Sequence, residues 1–353
     1  MTERNEENRN ANAGSGEKSE NRRFFSFAGL GCTAVIGVEF LIEYGFRSLI
    51  PGYDPTDFGK WFLLSFCGYL LALAAGAVVL RLAWGKAAGD KTVEGVRPGK
   101  AFLFAVPFSA LFIYIASTLS MFFTANSDSS ADTGALPSDA AGAAVFFVVS
   151  VLILPLAEEF FFRKMLAGGI SDRGGALAVF FSAAVYALSR QDAEQIPTSF
   201  AIGLVLGAAY IISKKLWVPI AVHAVVNLFW VFLPAMISSF AVDAEGIAEL
   251  NEITQLIASS GVGDEELIGR AGELAVRFLP YVILSGLLSA VTMGLVVAGV
   301  VLMIVRRGKI ALPSGTRPVS RSEIGDTVFL SPGVAIFFIA GTVLTVLSFF
   351  SVI

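Results

Sequence analysis

The chain has 353 residues, of which 55% are hydrophobic and only 15% are charged, and its formal net charge at pH 7 is −4. A soluble globular domain has a larger fraction of charged residues and a smaller fraction of apolar residues. This composition therefore excludes a soluble globular protein. The two cysteines lie in apolar stretches, and there is a single histidine, so a disulfide framework and a multi-histidine metal cage are excluded as well.

The chain begins with a polar segment. Residues 1–23 are rich in Asn and Glu and contain no apolar core. A signal peptide would place an apolar stretch after its first charges. The composition is typical of disorder instead, and it predicts a disordered cytoplasmic tail.

Long apolar runs follow along the rest of the chain. Because the runs are continuous and do not alternate in polarity, they predict membrane-spanning helices and not a β-barrel. The fold class we expect is an all-α, polytopic transmembrane bundle of eight or nine spans, and two of the runs are short for a span. The runs are 24–42, 59–80, 101–124, 142–163, 174–189, 196–213, 216–240, 278–305 and 331–353.

Basic residues test the topology of these spans. If the N-terminus is cytoplasmic, twenty of the 25 Lys and Arg residues fall on the cytoplasmic side. Such a bias is typical of the positive-inside rule. We therefore expect a cytoplasmic N-terminus in a multi-pass protein of the cell membrane.

The runs and the polar stretches divide the chain. N-terminal transmembrane helices are expected over 24–141, a core over 142–240 and C-terminal transmembrane helices over 278–353. An acidic segment, 241–277, lies between the core and the C-terminal helices and is expected to be extracytoplasmic. Its apolar residues recur at helical spacing, which favours a surface helix over the bundle, with a lid as the alternative.

Two adjacent acids lie at the end of the fourth run, in "LAEEFFFRKML". An intramembrane carboxylate is expensive and indicates a functional site. Glu159 and Arg163 are four residues apart and can pair on one helix face. Glu158 points about 100° away, so we expect it to face the space between helices. The alternative is a charge cluster at the cytoplasmic end of the span.

Two polar residues share one face of the seventh run, in "VPIAVHAVVNLF". His223 can exchange a proton near neutral pH or ligate a metal. Asn227, four residues later, can hold the ring or donate to a developing oxyanion. A packing hydrogen bond between helices is the equally weighted alternative.

Other charges lie near the ends of runs. Arg190 follows the fifth run and by itself resembles an interfacial anchor. Glu39, Glu43 and Arg47 recur one turn apart near the outer end of the first run. We interpret that series as an interfacial ion pair.

Together these segments resemble the CAAX prenyl-endopeptidase and bacteriocin-processing (CPBP, or Abi) family of intramembrane proteases. The family's first motif, E-E-x-x-x-R, is matched in full from Glu158 to Arg163. Its third motif, His followed four residues later by Asn, is matched by His223 and Asn227. The resemblance covers about residues 142–240. It implies that Glu158 activates a water, with His223 as the oxyanion or orienting group and Asn227 as its support.

The second family motif departs from the pattern. An aromatic residue followed four positions later by histidine is expected, and this chain has Tyr186 and Arg190. A guanidinium cannot accept a proton or bind a metal, and it can lock a neighbouring carboxylate in a salt bridge. The family name implies a divalent metal such as zinc. Glu158 and His223 are the candidate ligands, and a closed zinc site needs four, so this sequence has too few ligands for one.

Two hypotheses therefore remain, beside a less favoured transporter. In the first, the protein is an active intramembrane endopeptidase that uses Arg190 as an electrophile for the oxyanion. In the second, it is a catalytically silent member in which Glu158 and Arg190 form a structural pair and the protein binds a membrane partner. The expected partners are the lipid bilayer and a membrane-associated peptide or protein substrate. No nucleic-acid partner is expected.

Overall fold

The structure is a computed structural model that describes residues 2–46, 49, 58–84, 96–124, 140–238, 249, 251–253, 255–256, 265–306 and 311–350. Eight helices within these ranges are long and apolar enough to cross a membrane, and one shorter apolar helix lies among them. The predicted all-α bundle of eight or nine spans is confirmed. The helices are α1 (Thr2–Phe40), α2 (Gly68–Trp84), α3 (Pro98–Thr124), α4 (Ala140–Arg173), α5 (Gly175–Leu188), α6 (Ile196–Ser213), α7 (Trp217–Ser238), α8 (Glu265–Val305) and α9 (Pro332–Phe349).

Helix α4 is not a regular α-helix along its whole length. Two π-helical stretches, Val148–Ile153 and Glu159–Ala167, interrupt it, and it ends in a 3₁₀ turn at Ser171–Arg173. A π turn is rare and often lies at a functional site, because the wider turn changes the direction of the side chains that follow. The second interruption begins within the paired acids, at Glu159.

Residues 2–23 of the segment predicted to be a disordered tail lie in the first part of α1. The end of this segment contacts distant parts of the chain, and disorder of the tail stays a prediction. Arg173 donates to the side chain of Asn21 at 2.7 Å, and Lys18 pairs with Asp326 at 3.3 Å. Composition carries no information about such distant partners.

The acidic stretch between α7 and α8 lies largely outside the described residues. The helical positions that are described within it include Ile253, which is buried. Helix α8 begins at Glu265, where an acidic side chain suits the positive end of the helix dipole. A cytoplasmic N-terminus, and the choice between a surface helix and a lid, stay predictions.

The main apolar core joins α1, α2, α4, α5 and α9. Its largest buried side chains are aromatic and aliphatic, among them Phe25, Phe161, Phe181 and Phe337. Helices α5 and α6 approach closely, since a Cβ on Gly203 would lie 2.9 Å from Cα of Ala183. Small residues let membrane helices pack in this way, and here they bring α6 close to the middle of α5.

Helices α1 and α9 touch at two glycines. A Cβ added to Gly29 would overlap the backbone of Gly333, and Gly333 N–H donates to the hydroxyl of Ser26 at 3.1 Å. We expect Gly29→Ala to destabilise the protein by about 1–3 kcal/mol through overpacking. Gly37→Ala on the same helix meets open space and is expected to be neutral or stabilising by up to about 1 kcal/mol.

Thermal unfolding of the two variants in one detergent measures this difference. Equal melting temperatures for Gly29→Ala and Gly37→Ala would show that the two helices do not touch at these glycines.

Candidate functional site

The two adjacent acids of α4 are both removed from solvent. Glu158 is 1% exposed, and Glu159 and Arg163 are 0% exposed. Arg163 Nε lies 3.0 Å from Glu159 Oε2, which is the ion pair that the four-residue spacing predicts. The two groups are close, but their geometry is not that of an aligned hydrogen bond. The guanidinium of Arg163 also lies over the ring of Tyr186, 5.2 Å from its centroid.

His223 on α7 lies between the two acids and is 1% exposed. Its Nδ1 lies 2.9 Å from Glu159 Oε1, and its Nε2 lies 3.5 Å from Glu158 Oε2. A carboxylate only accepts hydrogen bonds, so Nδ1 carries the proton that is donated to Glu159. In the neutral form of the imidazole, the lone pair is then on Nε2, on the side of Glu158.

Arg190 lies directly beside Glu158. Its Nη2 donates to Glu158 Oε1 at 2.7 Å and to the hydroxyl of Tyr186 at 2.6 Å. Tyr186 in turn donates to Glu158 Oε2 at 3.2 Å. Tyr186 and Arg190 therefore both contact the first acid of the first motif, and Arg190 is not an isolated anchor. Their assignment to the second motif stays a prediction.

The chain path explains how Arg190 reaches Glu158. Gly174, with φ +136°, is at the turn between α4 and α5, and the two residues each lie sixteen positions from it. In an antiparallel hairpin, positions equally far from the turn lie at about the same depth. Helix α5 has 14 residues and is about 21 Å long, which is less than the thickness of the bilayer core. Its end therefore lies at about the same depth as Glu158.

The charges of this cluster balance. When Glu158 and Glu159 are ionised, their two negative charges are matched by the two positive charges of Arg163 and Arg190. Isolated charges are strongly unfavourable in hydrocarbon, whereas paired and hydrogen-bonded charges are tolerated. A histidine at position 190 would supply the second positive charge only when protonated, whereas an arginine supplies it permanently.

Asn227 does not contact the imidazole of His223 in this structure. Its amide donates to the backbone carbonyl of Ser150 at 2.7 Å. Ser150 lies in the first π-helical stretch of α4, where the regular i to i−4 bonding of carbonyls is interrupted. Asn227 therefore ties α7 to α4 one turn beyond His223, and its predicted support of the oxyanion stays a prediction.

Two residues outside the three motifs complete the surroundings of Arg190. Glu39 on α1 accepts a hydrogen bond from Gln191 at 3.2 Å and lies within electrostatic range of Arg190. The ring of Tyr69 on α2 lies 5.7 Å from the guanidinium carbon of Arg190. No sequence signal indicated Tyr69, which stands in an apolar run. The predicted partner of Glu43, Arg47, lies outside the described residues.

A zinc ion does not fit these side chains. A catalytic zinc takes three protein ligands, and in the described residues no three His, Cys, Asp or Glu side chains are arranged to hold a metal. Arg190 places a positive charge 2.7 Å from the best carboxylate ligand, Glu158. His223 is committed to Glu159 through Nδ1, so the cluster offers two donor atoms, Glu158 Oε2 and His223 Nε2.

Comparison with known proteins agrees with the position of this site. The model of the family described as "Type II CAAX prenyl endopeptidase Rce1-like" matches residues 140–229, which contain the first and third motifs and the Tyr186 and Arg190 positions. The chain is 24% identical over 211 residues to the putative membrane peptidase YdiL of Bacillus subtilis, an alignment that covers 57% of this chain and 83% of YdiL. It is 35% identical over 92 residues to the membrane-embedded CAAX protease MroQ of Staphylococcus aureus, covering 24% of this chain and 36% of MroQ. No solved structure matches.

Proposed function

We propose that the chain, whose residues 140–229 match the family model described as "Type II CAAX prenyl endopeptidase Rce1-like", is an active intramembrane endopeptidase that hydrolyses a peptide bond with a water activated by Glu158. The observation that carries this proposal is the convergence of Glu158, His223 and Arg190 from three helical segments on one buried point. Such a cluster is costly in a membrane, and a purely structural role would be served by apolar side chains.

Glu158 retains the capacity to act as a base. A carboxylate has about four lone-pair positions, and the contacts above assign one to Arg190 and one to Tyr186. The remaining position on Oε2 faces Nε2 of His223, 3.5 Å away. A water beside this pair can donate one hydrogen bond to each atom, which orients its oxygen for attack.

The reaction follows from this arrangement. The water oxygen bonds to the carbonyl carbon of the substrate, and its proton passes to Glu158 Oε2. Arg190 stabilises the negative charge that forms on the carbonyl oxygen. When the tetrahedral intermediate collapses, the C–N bond breaks and Glu158 returns the proton to the departing amine nitrogen. His223, fixed by Glu159, holds the water until its oxygen attacks the carbonyl carbon. No step uses a metal.

The substrate we propose is a membrane-associated peptide or protein. Among the described residues, eight helices are apolar enough to span a bilayer, and a substrate that enters the site laterally from the membrane suits this bundle. MroQ is named as a CAAX protease. Nothing in the cluster is specific for a prenyl group, and we leave prenyl recognition out of the proposal.

Cleavage of a library of membrane-tethered peptides by the purified, reconstituted protein tests the proposal. Analysis of the products by mass spectrometry should locate a scissile bond near the tether. A protein that binds tethered peptides without cleaving any of them would favour the silent alternative.

Arg190 variants test the part assigned to the guanidinium. We expect Arg190→Met to lower kcat by about 10²–10³-fold, the usual cost of removing one oxyanion donor. Arg190→His should retain more turnover, because an imidazole can donate one hydrogen bond and a thioether cannot. Both variants need a melting temperature close to that of the parent for the comparison to hold. Turnover by Arg190→His with none by the parent would overturn the proposal and identify a silenced protease.

A further inference from the structure

Tyr69 is buried with an unused hydroxyl. The residue is 6% exposed, and among the residues that the structure describes its hydroxyl has no hydrogen-bond partner. Leaving a buried polar group unpaired costs about 1–3 kcal/mol. A phenylalanine would fill the same space without that cost, so the hydroxyl calls for an explanation.

The surroundings of Tyr69 are those of the proposed active site. Arg190 lies between two tyrosine rings, with its guanidinium carbon 5.7 Å from the centroid of Tyr69 and 4.8 Å from that of Tyr186. The electrostatic neighbours of the Tyr69 hydroxyl are Glu158, Arg190, Glu39 and Tyr186. Since Arg190 also donates to Glu158, the ring that carries the unused hydroxyl packs on the group bound to the carboxylate that is proposed to activate water.

The two tyrosines differ in what their hydroxyls do. The Tyr186 hydroxyl accepts from Arg190 and donates to Glu158, so both of its functions are used. Tyr69 is unpaired, and in the described residues Arg190 Nε is also a buried donor without a partner. The Tyr69 hydroxyl and Arg190 Nε are therefore two unpaired donors near the proposed base, Glu158. Such donors can stabilise an oxyanion that forms only during the reaction.

We infer that Tyr69 is a catalytic residue whose hydroxyl donates a hydrogen bond to the oxyanion of the tetrahedral intermediate, together with Arg190. This inference rests on the proposed endopeptidase function. The hydroxyl keeps its own proton and only donates a hydrogen bond. Tyr69 lies on α2, outside the matched segment 140–229. The N-terminal helices thus contribute to the site and do more than enclose it.

Tyr69→Phe removes the oxygen and nothing else. Because the hydroxyl has no partner, we expect the melting temperature to stay the same or rise. The value of kcat should fall by about 10²–10³-fold while KM changes little, which is typical of an interaction made only in the transition state. Tyr114→Phe on α3 is the matched control, since Tyr114 is 55% exposed, and it should leave kcat unchanged.

Each outcome of this comparison is informative. Parental kcat in Tyr69→Phe would overturn the inference and leave the endopeptidase proposal intact. A melting temperature that falls together with kcat would also overturn it, because it would show that the hydroxyl has a structural partner. No cleavage by the parent protein would refute the endopeptidase proposal itself, and the role of Tyr69 with it.

Discussion

Glu158→Gln is expected to lower kcat by about 10²–10⁴-fold, the contribution that a positioned general base makes. Glutamine has the shape of glutamate and keeps an oxygen that can accept the hydrogen bond from Arg190. It cannot take a proton from water. The substrate still meets the same surface, so KM should change little.

Folding should be affected far less than turnover. The variant leaves Arg190 without its ion-pair partner, but the side chain of Arg190 is 25% exposed and can be solvated. Glu273→Gln provides the control, since Glu273 on α8 is exposed and lies in none of the three motifs. Peptide cleavage within about threefold of the parental rate in Glu158→Gln would show that another group activates the water.

Arg163→Met is expected to have the largest effect on stability, about 3–5 kcal/mol. Arg163 is fully buried, and its guanidinium provides the positive charge beside Glu159. Methionine fills the space of the side-chain stem but leaves the carboxylate with only His223 as a partner. An uncompensated charge in an apolar interior is what makes the removal of one partner so costly.

Thermal or denaturant unfolding in detergent micelles measures this loss. Lys164→Met removes a charge from the adjacent position, where the side chain is exposed, and should change stability by less than about 0.5 kcal/mol. The double variant Glu159→Gln with Arg163→Met should recover much of the loss, because no unpaired charge then remains. If Arg163→Met proves as stable as Lys164→Met, the buried ion pair does not support the fold.

Local spacing predicted some of the site. The pairing of Glu159 with Arg163 follows from a separation of four residues, which places both side chains on one helix face in almost any helical context. Spacing also placed His223 and Asn227 on one face, but it could not assign their partners. His223 contacts both acids, and Asn227 bonds to the carbonyl of Ser150, which a π turn leaves accessible.

Contacts between distant segments had no such local signal. By position along a regular helix, Arg190 was expected near the outer surface, unless its helix began inside the membrane. The turn at Gly174 and the short helix α5 bring it to Glu158 instead. The same holds for the end of the polar N-terminal segment, where Asn21 contacts Arg173 and Lys18 contacts Asp326 although composition predicts disorder.

The sequence by itself determined that this is a multi-pass helical membrane protein, and its motifs indicated a resemblance to the protease family whose model matches residues 140–229. A helix that crosses the hydrocarbon core needs a long run of apolar residues. A polar residue within such a run is therefore easy to recognise in the sequence. Only the tertiary structure decided that Arg190 is bound to Glu158, that His223 lies between the two acids, and that Tyr69 joins the site from another helix. These contacts depend on how helices far apart in the chain are tilted and packed, and that geometry has no short-range signature in the order of residues.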